Sequence, residues 1–192
     1  MYLAIEGVDC SGKSTQISFL KEALHNAVFT REPGATKLGM QIREIVLNDN
    51  NISDISRFLM FLADRAEHMQ KVIMPNIANK KDLISDRSFI SGMAYHIANN
   101  PSADIKTIFE LNLFALSNIL PEKVIFLNIP KDVLINRLSA KDLDAIEVKG
   151  IDYMMSVQNA IKTSLQYSKI NFLEIDASLT PKEINKMIMD YI

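Results

Sequence analysis

Residues 7 to 14 read Gly7-Val8-Asp9-Cys10-Ser11-Gly12-Lys13-Ser14, and no other stretch constrains the fold of this chain as much. They follow the apolar run Tyr2–Ile5 and lead into Ser14–Leu24, where Ile17, Leu20 and Leu24 recur at helical spacing. The string fits G-x-x-x-x-G-K-[ST], a strand-to-helix turn that wraps phosphate oxygens. Glycines let the main chain turn tightly and bring its N–H groups against an anion. The helix that follows adds unpaired N–H groups and a positive dipole end. Lys13 supplies charge for the β- and γ-phosphates, and the Ser14 hydroxyl suits Mg2+. The order strand, loop, helix is what this chemistry needs, so a nucleoside-triphosphate phosphate site is predicted here. Cys10 reads as a small loop residue, not as a nucleophile.

Bulk properties narrow the field. The chain has 192 residues, which suits one domain spanning 1–192. At that size folding buries roughly 70% of the unfolded chain's surface, so neither disulfides nor a structural metal are needed. A net charge of −2 gives no general attraction to nucleic acid or an anionic membrane. The single cysteine excludes an internal disulfide and a multi-cysteine zinc site. The opening "MYLAIEGVD" has no basic leader. No apolar run approaches the ~20 residues of a spanning helix. A cytoplasmic protein with no nucleic-acid or membrane partner is predicted.

Four further apolar or β-branched runs follow Tyr2–Ile5: Ala27–Thr30, Leu83–Ser85, Val124–Leu127 and Phe172–Ile175. Segments with helical spacing lie between them. Ser53–Lys80 carries the stripe Phe58, Leu62, Met69 and Ile73, and Pro75 predicts a kink or break there. Ile105–Leu120 carries Ile108, Leu111, Ala115 and Ile119. Pro130 opens another helix, and Thr180-Pro181-Lys182-Glu183 combines a capping box with proline at the first helical position. Met154, Met155, Met187 and Met189 read as core fillers. Short buried strands alternating with helices predict an α/β fold with a parallel sheet covered on both faces. Asn79-Lys80-Lys81-Asp82 matches the guanine-reading N-K-x-D string, but it follows a helix and precedes the third strand, so it reads as a solvated connection.

Thr30-Arg31-Glu32-Pro33-Gly34 directly follows the second run, and Asp86-Arg87-Ser88 the third. In an open parallel sheet, ligands bind beyond the carboxyl ends of the strands. Two arginines and two acids are therefore predicted to project toward the edge that carries the phosphate loop. Arginine suits phosphate because its planar fork donates two parallel hydrogen bonds. Phe61 and Arg65, four residues apart, share a helix face beside the core stripe. A ring next to a guanidinium suits a planar base and its edge. His25, His68 and His96 read as surface or packing residues.

At this point the chain resembles the bacterial thymidylate kinases, within the nucleoside-monophosphate kinase group. The resemblance runs over essentially the whole length, through "EGVDCSGKST", "TREPGAT", "LMFLADRAEH", "DRSFISGMAY", "VIFLNIP" with "NRL" soon after, and "IDAS". It implies a P-loop three-layer α/β/α fold, with a five-stranded parallel sheet and a short helical lid at about 137–150. It also implies a homodimer, and the reaction ATP + dTMP → ADP + dTDP with Mg2+. By resemblance, Gly7–Ser14 and Thr15 hold the ATP phosphates, and Asp9 lies near the acceptor phosphate and the metal. Arg31 and Arg87 surround the transferred phosphoryl group and the dTMP phosphate, with Asp86 at that junction. Phe61 stacks on thymine and Arg65 bonds its carbonyl. Ser91 and Tyr95 line the nucleoside pocket, where Tyr95 crowds a 2′-hydroxyl. Arg137 packs on adenine, and Asp176-Ala177-Ser178 closes that pocket.

Two departures stand out. Ala35 replaces the second glycine of the usual "TREPGGT". The arginine that relatives supply from the phosphate loop or the lid is also missing: positions 10 and 11 are Cys and Ser, and Ala145 stands in the lid. Arg137, Lys141 and Lys149 are the nearby cations, and Lys141 is the candidate substitute, a point charge without the bidentate fork. Rival readings are a kinase for another nucleotide or a deoxynucleoside, and a nucleotide-binding switch that has lost catalysis. Lys141→Ala is expected to lower kcat far more than it raises the KM for dTMP in steady-state assays. An unchanged kcat would remove Lys141 from the reaction.

Overall fold

A computed structural model describes residues 1–49, 51–138 and 150–192. Its strands are β1 (Tyr2–Glu6), β2 (Val28–Arg31), β3 (Leu83–Asp86), β4 (Lys123–Asn128) and β5 (Phe172–Asp176). They form one parallel sheet in the order β2-β3-β1-β4-β5. β1 and β3 are buried along most of their length, as expected of parallel strands covered by helices. Each strand ends one residue beyond its apolar run, and each of those residues is polar: Glu6, Arg31, Asp86, Asn128 and Asp176. All five therefore lie at one rim of the sheet.

The helices are α1 (Lys13–Ala23), α2 (Lys37–Asn48), α3 (Asp54–His68), α4 (Met74–Ala78), α5 (Phe89–Asn99), α6 (Ile105–Ala115), α7 (Lys131–Leu138), α8 (Ile151–Ser168) and α9 (Pro181–Tyr191). α3, α5, α6 and α8 pack together as one group, while α1 packs with α9. With the sheet between helices, the architecture is the predicted three-layer one. The capping box at Thr180 and Glu183 is present, and α9 starts there. "NKKD" is indeed the connection from α4 to β3, where Asp82 accepts from the Met1 amino group.

Several expectations need correction. The predicted helix Ser53–Lys80 changes to a π-helical turn over Met69–Ile73 before Pro75 is reached, so the irregularity precedes the proline. The helix predicted over Ile105–Leu120 stops at Ala115, and Ser117 and Asn118 take left-handed backbone. On that helix Leu111 faces outward, while Asn112 takes the core-facing place beside Ile108 and Ala115. Met154 is buried, but Met187 and Met189 are exposed on α9, whose core face is Ile184 and Ile188. The predicted lid lies mostly outside the described residues, as do Lys141, Ala145 and Lys149; Arg137, in the last turn of α7, is described.

Candidate active site

The loop between β1 and α1 is shaped by close approach. A Cβ on Gly7 would meet the Leu127 carbonyl oxygen at 2.9 Å and the Ser11 hydroxyl at 2.6 Å, so the turn needs glycine there. Lys13 is almost buried, and its ammonium donates to the carbonyls of Gly7 at 3.0 Å and Val8 at 2.9 Å. Asp9 Oδ1 lies 3.8 Å from it. Burial first, and the charge of Arg87 next, lower the Lys13 pKa to about 8. Ser14 and Thr15 are exposed at the mouth of the same loop.

Glu6, buried at the end of β1, was not singled out from sequence. Its Oε1 accepts from the Ser88 N–H and hydroxyl, both at 2.7 Å, and its Oε2 from the Ser91 hydroxyl at 2.5 Å. Burial pushes its carboxyl upward, against the hydrogen bonds from Ser91 and Ser88. This carboxylate ties β1 to the start of α5, which Ser88 caps. Between them stands Arg87, held in left-handed backbone at φ 68°. Non-glycine residues adopt that conformation only when their surroundings impose it. Its guanidinium donates to the Gly7 carbonyl at 2.9 Å, to Ser91 Oγ at 3.2 Å and to Asp9 Oδ1 at 2.5 Å.

Two cavities meet at these residues. One is an open cleft of about 750 Å3 lined by the loop from Asp9 to Gln16, by Arg31, Asp86 and Arg137, and by Leu179, Pro181 and Ile184 of the segment after β5. Arg137 spans it, donating to the carbonyls of Cys10 at 2.9 Å and Ala177 at 2.8 Å. The other, lined by Phe61, Arg65, Ser91, Gly92, Tyr95, Asn99 and Tyr153, reaches between α3, α5 and α8. Asp9, Glu32, Arg43 and Arg87 line both. The residues singled out from sequence are thus brought together, with Phe61, Arg65, Ser91 and Tyr95 in one cavity and the phosphate loop, Arg31, Asp86 and Arg137 in the other.

One placement differs from the sequence reading. Glu32 borders both cavities, but its carboxylate turns inward and binds Arg65 and His68. Ser91 lines the pocket, and its hydroxyl donates to Glu6 and accepts from Arg87. Arg43 on α2 was missed. It donates to the Pro33 carbonyl at 3.1 Å, and burial together with the charges of Arg31 and Arg87 lowers its pKa. No local signal marked it, because its place is set by how α2 packs beside Pro33.

The polar set also bears on a metal. Asp86 Oδ1 is buried with no hydrogen-bond partner, and the Ser14 side chain lines the same cleft. Hard oxygen donors of this kind suit Mg2+, which binds through one or two protein oxygens together with substrate phosphates. Among the described residues no group of three or more His, Cys, Asp or Glu side chains is placed to hold a metal unaided. Asp9 lines the cleft as well, with its carboxylate beside both Arg87 and Lys13.

Lys13 gives this site a pH signature. Above pH 8 the free loop loses the lysine proton, whereas a bound polyphosphate retains it. ATP affinity is therefore expected to be level below that pH and to fall by up to about tenfold per pH unit above it. Calorimetry in buffers of different ionisation enthalpy should register net proton uptake on binding there. Affinity that stays flat well above pH 8 would contradict it.

Comparison with known proteins points the same way. The family model described as thymidylate kinase matches residues 5–188. A thymidylate kinase of Aliarcobacter butzleri is 45% identical over 192 residues, covering 100% of this chain and 98% of the relative. That of Campylobacter fetus is 47% identical over 194 residues, with 100% of each chain covered. That of Sulfurimonas denitrificans is 44% identical over 192 residues, covering 100% of this chain and 99% of the relative. Identity of this extent over the whole chain, with the family model matched over residues 5–188, makes the chain a member of the thymidylate kinase family.

Proposed function

We propose that this protein is a single-domain dTMP kinase, moving the γ-phosphoryl of ATP to dTMP and releasing dTDP and ADP for dTTP synthesis. The observation that carries the reading is the meeting of a phosphate-loop cleft and an aromatic, guanidinium-bearing pocket at Asp9, Arg43 and Arg87. Transfer between two nucleotides needs such a junction, where the donor's last phosphate faces the acceptor's. Phosphoryl transfer is mostly alignment and charge stabilisation. In this reading Lys13 and the loop amides hold the ATP phosphates, and Arg137 packs on adenine. Arg31, Arg43 and Arg87 gather the acceptor phosphate and the transferred group, and Asp9 orients Arg87. Phe61 stacks on thymine, Arg65 donates to its carbonyl, and Tyr95 crowds the 2′ position. Ser14, with Asp86 and Asp9 alongside, would hold Mg2+, which neutralises phosphate oxygens when bound.

Coupled measurement of ADP release over a panel of acceptors tests this: dTMP, dUMP, dCMP, dAMP, dGMP and thymidine. dTMP is expected to give the highest kcat/KM by at least about tenfold, the scale set by one well-placed contact. A different best acceptor would make this a kinase for another nucleotide or a nucleoside. ATP binding without acceptor-dependent ADP release would make it a binding protein.

The working form is proposed to be a cytoplasmic homodimer. No helix among the described residues is long and apolar enough to cross a membrane. Ile55 and Leu59 on α3 and Leu111 and Phe114 on α6 are exposed, Phe114 by 85%, and these two helices pack side by side. Such a face is what a second copy would cover. Phe114→Asp is expected to shift sedimentation from dimer to monomer; an unchanged dimer would place the interface elsewhere.

A further inference from the structure

Arg65 is set inside the protein with its side chain nearly sealed from solvent. Its Nε donates to Glu32 Oε2 at 2.9 Å, Nη2 lies in ion-pair contact with the same oxygen at 2.9 Å, and Nη1 donates to Asn112 Oδ1 at 2.7 Å. The Asn112 amide is itself oriented, because its Nδ2 donates to the Ile108 carbonyl at 2.7 Å. Gly92 leaves the room: a Cβ there would stand 2.8 Å from Arg65 Nη2. The guanidinium therefore has one position, and Glu32 sets it.

Glu32 is fixed from its other side. His68 is fully buried, and its Nδ1 lies 3.0 Å from Glu32 Oε1. Its Nε2 lies 2.7 Å from Thr30 Oγ1, in β2 and next to Arg31. Burial alone would raise the Glu32 carboxyl, but the charge of Arg65 and the hydrogen bond from His68 outweigh it and hold the group below its usual range. An ionised Glu32 accepts only, so His68 Nδ1 donates to it. An imidazole between two partners holds one ring orientation, which is how outer partners set the position of a recognising group.

We propose that His68 is a positioning residue for acceptor recognition, fixing Arg65 through Glu32 and tying it through Thr30 to the strand end that carries Arg31. The proposal deepens the acceptor reading above and rests on it. Base recognition and phosphate placement are then two ends of one hydrogen-bonded chain, Asn112–Arg65–Glu32–His68–Thr30. A pyrimidine whose edge satisfies Arg65 meets a guanidinium already aligned with the residues before Arg31. Loosening His68 lets Arg65 turn, which weakens acceptor binding and blunts discrimination between a carbonyl and an amine at the base edge, while the ATP cleft keeps its own contacts.

The experiment compares His68→Gln, His68→Asn and Thr30→Val by steady-state kinetics with dTMP and dCMP as acceptors, alongside thermal unfolding. Asparagine keeps an N–H donor where Nδ1 stands; glutamine moves the amide toward the Nε2 position and gives up the bond to Glu32. His68→Gln is expected to raise the KM for dTMP about tenfold and to narrow the dTMP-to-dCMP preference, with the KM for ATP within about twofold. His68→Asn should recover most of the dTMP affinity, and Thr30→Val should raise the KM for dTMP about threefold. Equal rises in both substrates' KM, or an unchanged KM for dTMP, would overturn the proposal. If His68→Gln fails to fold, Thr30→Val decides on the same criterion. Failure of the acceptor reading is separate, since it appears in the unmodified protein as preference for another acceptor.

Discussion

A carboxylate buried at the end of the central strand sets the terms for the rest of the site. An ionised group out of water costs several kcal/mol unless its oxygens are hydrogen-bonded. Glu6 meets that requirement with the main chain and hydroxyl of Ser88 and the hydroxyl of Ser91. The strand that launches the phosphate loop and the helix that walls the second cavity are thereby joined at one point. Arg87 sits on that joint in a backbone conformation it would not choose alone, and its guanidinium hydrogen bonds run to Gly7, Ser91 and Asp9. The position of the guanidinium is a property of the fold before any ligand arrives, as preorganised charge stabilisation requires.

The cations at the junction oppose one another. Lys13 is depressed by burial and by Arg87, and Arg43 by burial and then by Arg31 and Arg87. Asp9 offsets part of this, with Arg87 at 2.5 Å and Lys13 at 3.8 Å. A concentration of like charge is unfavourable in isolation and becomes favourable once phosphate oxygens enter. The acceptor cavity follows the opposite plan. Arg65 is neutralised internally by Glu32, which suits an uncharged base edge read by hydrogen bonds.

Much of the fold was legible because its signals are local. Apolar runs marked the five strands, the loop string marked the turn from β1 to α1, and Thr180 and Glu183 marked the start of α9. What escaped was decided by tertiary neighbours. α5 is apolar almost all round because α3 and α8 both cover it, so it shows no stripe of its own. Asn112 faces the core because Arg65 waits there, and no periodicity reveals that. Glu32 and His68 form a buried polar pair 36 residues apart, and nothing in either local sequence shows that they meet. The candidate site was legible where a motif carries it, at Lys13, Arg31, Asp86 and Arg87. It was illegible where placement comes from packing, at Glu6 and Arg43.

Each strand keeps its apolar residues below the rim and places one polar residue on it. Glu6, Arg31, Asp86, Asn128 and Asp176 are consecutive stations along that edge once the sheet order is followed. Cohesion and chemistry therefore occupy separate storeys of the same strands. Glu6 alone among the five belongs to both storeys, because it also ties β1 to α5; the other four stand above the packing that keeps the building standing. A scaffold divided in this way is suited to founding new specificities from old ones.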